Sequence, residues 1–228
     1  MAFDLSSTKN TATLNGLKML VYGAAGVGKT TLCGTSDNEK TIILSAEGGM
    51  LSLSGKDIAM AEIRSMDDLR DAFHYLSSNE GRKYEWVCLD SISEMAEVCL
   101  SYEKTKEKNP MRAYMTTQDT ITSLVRAFRD MPARNVVITA KLDRSQDQET
   151  GSMLYAPSCP GNKLAQQLPY LFDIVLALRT QADEEGNLRR FLQTQTDQQW
   201  SAKDRSGKLD MFEAADLTEL YNKIIGVN

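Results

Sequence analysis

Histidine is nearly absent from this chain: His74 is the only one in 228 residues. With a single imidazole, a histidine-built metal site is excluded. His74 stands beside Phe73 on a helical face, where a packed or solvent-edge ring is the expectation. The four cysteines, Cys33, Cys88, Cys99 and Cys159, are scattered without C-x-x-C spacing. That pattern argues against zinc, and the three in apolar stretches read as core thiols in a reducing cytosol. Long hydrophobic runs are missing too. The best candidate, residues 171–178, is short and carries Asp173, so no bilayer-spanning helix and a cytoplasmic location are expected. The first residues, Met1-Ala2-Phe3-Asp4-Leu5-Ser6-Ser7, lack the basic and apolar regions of a secretory signal. An excess of positive charge is also missing. With 26 Lys and Arg against 31 Asp and Glu, the net charge is −5, which excludes nucleic-acid binding by bulk charge and leaves only local basic segments for it.

What is present is the composition of an ordinary globule, 42% hydrophobic and 25% charged, long enough for one α/β domain over residues 1–228. Its most informative stretch is Gly23-Ala24-Ala25-Gly26-Val27-Gly28-Lys29-Thr30, a complete G-x-x-x-x-G-K-[ST] phosphate-binding loop followed by Thr31. A random chain of this size shows that pattern roughly once in a hundred tries. The glycines let successive backbone N–H groups turn inward onto phosphate oxygens. Lys29 reaches the terminal phosphates, Thr30 offers a hydroxyl to Mg2+, and the following helix turns its positive end to the same anion. Residues 17–22 form an apolar run suited to a buried strand, so the motif has its required strand–loop–helix setting.

Further strands are expected at 41–45, 84–90, 136–140 and 172–178, with additional, antiparallel ones at 190–194 and 199–202. Helices are expected at 67–78, 93–102, 116–131 and from Asp216, which caps the last with Glu219 three residues on. Residues 103–110 carry charge and Pro110 and read as an exposed loop. Residues 142–161 read as a long irregular one. Strands alternating with helices imply a mainly parallel sheet covered on both faces, with an antiparallel hairpin at 180–205 and an N-terminal arm at 1–16.

Acids at strand ends carry the remaining chemistry. Asp90 ends a buried apolar strand, where it is either a Mg2+ holder beside Thr30 or a helix cap. Glu47, followed by Gly48 and Gly49, is either a water-orienting base or a solvated loop glutamate. Lys141 ends another strand within reach of a γ-phosphate. Lys203 and Arg205 project to one side of a strand, as a solvated hairpin end or as cations offered to a neighbour's nucleotide.

Together these segments resemble the RecA-like P-loop ATPases and, more narrowly, the compact phage ATP-binding proteins of the Sak4 single-strand annealing group. The carrying residues are 23–31, 43–49 ending in the presumed catalytic Glu47, 86–91 ending in Asp90-Ser91, 136–141, and Ala202-Lys203-Asp204-Arg205. The resemblance implies a RecA-like fold, ATP and Mg2+ as ligands, ATP hydrolysis, and a ring or filament in which Lys203 and Arg205 act in trans. It also implies two loops holding single-stranded DNA, placed at 101–115 (Lys104, Lys106, Lys108, Arg112, with Tyr102 and Tyr114) and at 142–163 (Arg144, Tyr155, Lys163). A single-strand-binding protein is a partner class it allows. A small-molecule P-loop kinase and an ATP-gated interaction module with little hydrolysis are the alternatives, although no arginine cluster of a kinase lid is evident.

Overall fold

The structure is a computed structural model that describes residues 15–226; all but Asn15 and Gly16 of the expected arm, including the segment 1–7, lies outside the described residues. The apolar run before the phosphate loop forms β1 (Lys18–Gly23), buried along its whole length. Side chains alternate across a strand, and here both faces are covered, so the run reads as continuously apolar. Leu20 and Tyr22 enter one core while Met19 and Val21 enter the other. The loop is followed by a short α1 (Lys29–Cys33). Next come β2 (Thr41–Ser45), β3 (Ala59–Glu62), and α2 (Met66–Ser77), whose Ser65 cap accepts from the Asp68 amide at 3.2 Å. β4 (Trp86–Asp90) leads into α3 (Ile92–Lys106), α4 (Pro110–Arg129) and β5 (Asn135–Gln146). β6 (Met153–Ser158), α5 (Asn162–Gln167), β7 (Ile174–Ala182), β8 (Leu188–Gln193), β9 (Lys203–Asp204), β10 (Phe212–Ala214) and α6 (Leu217–Ile225) complete the described chain.

All ten strands join one sheet with the path β10-β8-β7-β1-β5-β4-β2-β3, while β6 pairs with β5 and β9 with β7. The central pairings from β7 to β3 are parallel; those of β6, β8, β9 and β10 are antiparallel. Helices α2 to α5 cover one face through residues such as Leu69, Ile92, Ile121 and Leu164. Helices α1 and α6 cover the other through Leu32, Leu217 and Leu220. This is a mainly parallel α/β arrangement with helices on both faces and an antiparallel extension. One strand, β5, separates the phosphate-loop strand from the strand ending in Asp90.

Three expectations are corrected, and one strand was not expected. The segment 103–110 is not a loop: α3 continues to Lys106 and α4 begins at Pro110, leaving three residues between them. Pro110 starts a helix, because proline is favourable at the first helical position, and Asn109 caps it by accepting from the Met111 amide at 3.0 Å. The segment 142–161 is largely a hairpin of β5 and β6, closed by Asp147 accepting from the Glu149 and Thr150 amides. Strand alternation was hidden there because the far part of β5 is exposed and polar. No strand forms at 199–202, which contributes only a Tyr155–Trp200 bridge. Conversely, β3 was not expected, since Ala59-Met60-Ala61-Glu62 has little strand propensity and is held by its pairing with β2. Cys33, Cys88 and Cys99 are buried free thiols.

One buried charge sits in this framework. Lys18, at the start of β1, is 6% exposed and donates its ammonium to the Met131 and Arg134 carbonyls at 2.8 Å each. Burial lowers its pKa from 10.5 to about 8, against a smaller raising effect of Asp130 and Asp173. The unfolded chain therefore binds more protons between about pH 8 and 10.5, so this group makes stability rise with pH across that window. Below pH 8 the cost of the buried charge is fully present. Urea titrations should show a gain of up to about 3 kcal/mol from this group, and Lys18→Met should flatten that part of the profile.

Candidate nucleotide site

The phosphate loop lies at the carboxyl end of β1, framed by β7. Gly26 and Gly28 have φ of 73° and 106°, a region that a side-chain-bearing residue enters only with strain. Lys29, the first residue of α1, is buried and turns its ammonium back onto the Gly23 and Ala24 carbonyls at 3.1 and 3.0 Å. No carboxylate lies within ion-pair distance of it among the described residues. Burial lowers its pKa, only partly opposed by Glu47 and Asp90. A buried, unpaired ammonium beside a glycine-lined loop is a fitting receptor for an anion.

Asp90 is 1% exposed at the end of β4, and both its oxygens are taken. Thr30 donates to Oδ2 at 2.5 Å and Thr139, on β5, donates to Oδ1 at 2.5 Å. The oxygen pair of Thr30 and Asp90 suits a hard divalent cation such as Mg2+, which prefers oxygen donors. The cap onto α3 comes from Ser91 instead: its Oγ accepts from the Glu94 amide. Ser91 also donates to Glu47 Oε1 at 2.5 Å, so Glu47 is held across from the loop by the residue next to Asp90. Its position follows from register, since Ser45 pairs with Asp90 and the Ala46 amide donates to the Asp90 carbonyl at 2.8 Å.

Lys141 projects from β5 level with Gly23 and pairs with Glu94 at 2.5 Å, a bond that raises its pKa. Lys29, Glu47, Lys141, Asp143 and Arg144 line one open cleft of about 560 Å3. Arg144, expected on a DNA-facing loop, thus stands at the phosphate-loop cleft. A somewhat larger cleft, about 620 Å3, lies at the other end of β1, lined by Lys18 and by the pairs Arg129–Asp130 and Arg205–Asp173. The smaller cleft is the one that adjoins the glycine-lined loop and the Lys29 ammonium.

Lys203 and Arg205 do not join this cleft. Lys203 pairs in register with Val175 and donates to the Pro169 carbonyl at 2.7 Å, while Arg205 bonds Asp173 at 3.0 Å. Both lie toward the amino end of β7, away from their own chain's phosphate loop. The cations of the helical turn sit elsewhere again. Lys106 lies 4.0 Å over the Tyr102 ring and Lys104 5.4 Å from the Tyr114 ring centre, while Arg112 reaches Glu107 at 3.9 Å. Lys163 is exposed at the start of α5, and a Cβ at the preceding Gly161 would lie 3.5 Å from the Tyr114 ring. Tyr155 has one ring face covered by Trp200, with centroids 4.2 Å apart. Thr139, Ser91, Glu94 and Arg190 were not among the expected site residues. Nothing in the spacing of Thr139 or Arg190 marks them, whereas Ser91 adjoins Asp90.

A family model described as an AAA domain matches residues 15–206, most of the chain. The chain belongs to the AAA domain family. It is a nucleotide-binding P-loop ATPase domain, and residues 23–30 carry the G-x-x-x-x-G-K-[ST] pattern. No curated protein matches the chain. Among solved structures, that of the RadB recombinase matches with a TM-score of 0.44 at 15% identity, covering 80% of this chain and 89% of that one. A likeness of that size carries no argument about activity. Among the described residues of this AAA domain no helix is long and apolar enough to cross a membrane, and no cluster of His, Cys, Asp and Glu suits a metal ion without a nucleotide.

Replacing the buried ammonium tests the site directly. Lys29→Ala should weaken nucleotide binding by roughly tenfold to a hundredfold, the worth of a hydrogen bond to a charged group. In thermal melts, the nucleotide-dependent rise in Tm should shrink accordingly.

Proposed function

We propose that this AAA domain binds ATP with Mg2+ and hydrolyses it, and that the ATP-bound form binds single-stranded DNA and promotes its annealing or pairing in phage recombination. The observation that carries the hydrolytic part is the cleft in which Glu47 faces the phosphate loop with Lys29 and Lys141. Glu47 orients the attacking water, fixed by the hydroxyl of Ser91. Lys29 leaves its two carbonyls for the terminal phosphate oxygens, and Lys141 exchanges or shares Glu94 for the γ-phosphate. Mg2+, held by Thr30 and Asp90, supplies charge neutralisation at the phosphates. Lys203 and Arg205, remote from their own cleft, are proposed to reach the nucleotide of an adjacent copy in a ring or filament, which makes turnover dependent on self-association.

The DNA-binding part rests on the helical turn. Lys106 and Lys104 lie against Tyr102 and Tyr114, which are 50% and 40% exposed; Lys108 and Arg112 belong to the same helical turn, and Lys163 lies on the neighbouring α5. Cations beside exposed aromatic rings are the combination that stacks bases and tracks a phosphate backbone. It concentrates positive charge locally in a chain whose net charge is −5. A single-strand-binding protein as partner and a cytoplasmic setting complete the proposal.

Turnover assays with and without single-stranded DNA test it. Steady-state hydrolysis should rise on adding single-stranded DNA, and turnover per subunit should rise with protein concentration. Glu47→Gln should lower turnover about a hundredfold or more while retaining nucleotide binding. Unchanged turnover in that variant would instead favour a nucleotide-gated interaction module, and indifference to DNA would favour a kinase.

A further inference from the structure

We propose that Arg190, on the β7–β8 hairpin, is a positioning residue that holds the phosphate loop from the side of the antiparallel extension. This rests on the nucleotide-binding reading of that loop. Arg190 Nε donates to the Val27 carbonyl at 2.8 Å across 163 residues of chain. Val27 precedes Gly28, which takes a φ of 106°. A Cβ at Gly28 would collide with Arg190 Nε and crowd Cδ and Cζ, so the guanidinium occupies the space a side chain at that position needs.

The placement is built by the sheet. Arg190 pairs in register with Thr180 on β7, two residues beyond Leu178, whose carbonyl lies against Gly23. The other hairpin arginines are engaged elsewhere: Arg179 with Gln193 at 2.6 Å, and Arg189 with Asp183 at 3.0 Å. Arg190 bonds no carboxylate among the described residues, so its charge is not cancelled where it meets the loop. A carbonyl fixed from outside keeps the Val27–Gly28 peptide oriented, which keeps neighbouring N–H groups turned toward the phosphates. Prepaying that order should favour binding of any nucleotide that uses the loop, without changing the chemical step. The added cation also raises the local positive potential.

Arg190→Ala and Arg190→Lys in the full chain, with ATP and ADP as probes, decide the matter. Arg190→Ala should weaken binding of both nucleotides equally, by roughly threefold to tenfold, less than the full worth of a charge-assisted hydrogen bond because the bond orders the loop and does not touch the nucleotide. KM for ATP should rise in proportion, while kcat at saturation stays within about twofold. Arg190→Lys, which keeps a cationic donor, should recover most of the affinity. The melting temperature without nucleotide should not move. A fall in kcat with unchanged ADP affinity would overturn the proposal in favour of a transition-state contact. A lower melting temperature with unchanged affinity would overturn it in favour of hairpin stability alone. If the unsubstituted protein binds neither nucleotide, the nucleotide-site reading itself fails and takes this proposal with it.

Discussion

The Asp90 carboxylate, buried to 1% exposure and gripped by two threonine hydroxyls, is the constraint on which the site depends. A carboxylate removed from water is costly unless its oxygens are hydrogen-bonded. Here the donors come from separate elements: Thr30 from the helix after the phosphate loop, Thr139 from the strand between loop and acid. The single interaction therefore ties α1, β4 and β5 into one geometry. Glu47 inherits its position from the same strand end, through the Ser45–Asp90 register and the adjacent Ser91.

Charge is distributed to suit that geometry. Some surface cations are matched locally, as in Lys40–Glu85, Arg70–Asp67 and Lys223 with Asp210 and Glu213. Such exposed pairs contribute little to stability, but they remove positive potential from the surface. Lys29 and Arg190 instead bond carbonyls of the loop rather than carboxylates. A chain with an overall negative charge thereby retains a local attraction for a polyanionic substrate. Buried Lys18 is the counterpart at the opposite end of β1, its ammonium likewise held by two carbonyls.

Legibility in the sequence followed the range of the interactions. The phosphate loop, the apolar strands β1, β2 and β4, and the Asp216 cap of α6 were readable because each is encoded within a few residues. Pro110 misled, since proline both breaks helices and begins them, and only the Asn109 cap separates the two cases. The β5–β6 hairpin was unreadable because the far part of β5 is almost wholly polar, so alternation carries no signal there, and its partner β6 is a short run that contains Pro157. β3 exists by virtue of its neighbour rather than its own residues.

By itself the sequence determined that a polyphosphate-binding turn follows a buried strand, that the fold alternates strands with helices, and that acids stand at two strand ends. These are short-range properties of backbone conformation and periodicity. Tertiary structure alone decided that Thr139 secures Asp90 from 49 residues away, that Arg144 stands in the phosphate-loop cleft, that Lys203 and Arg205 lie remote from it, and that Arg190 meets Val27 from 163 residues away. Strand order and register set those meetings, and no local pattern encodes which strand becomes the neighbour of which.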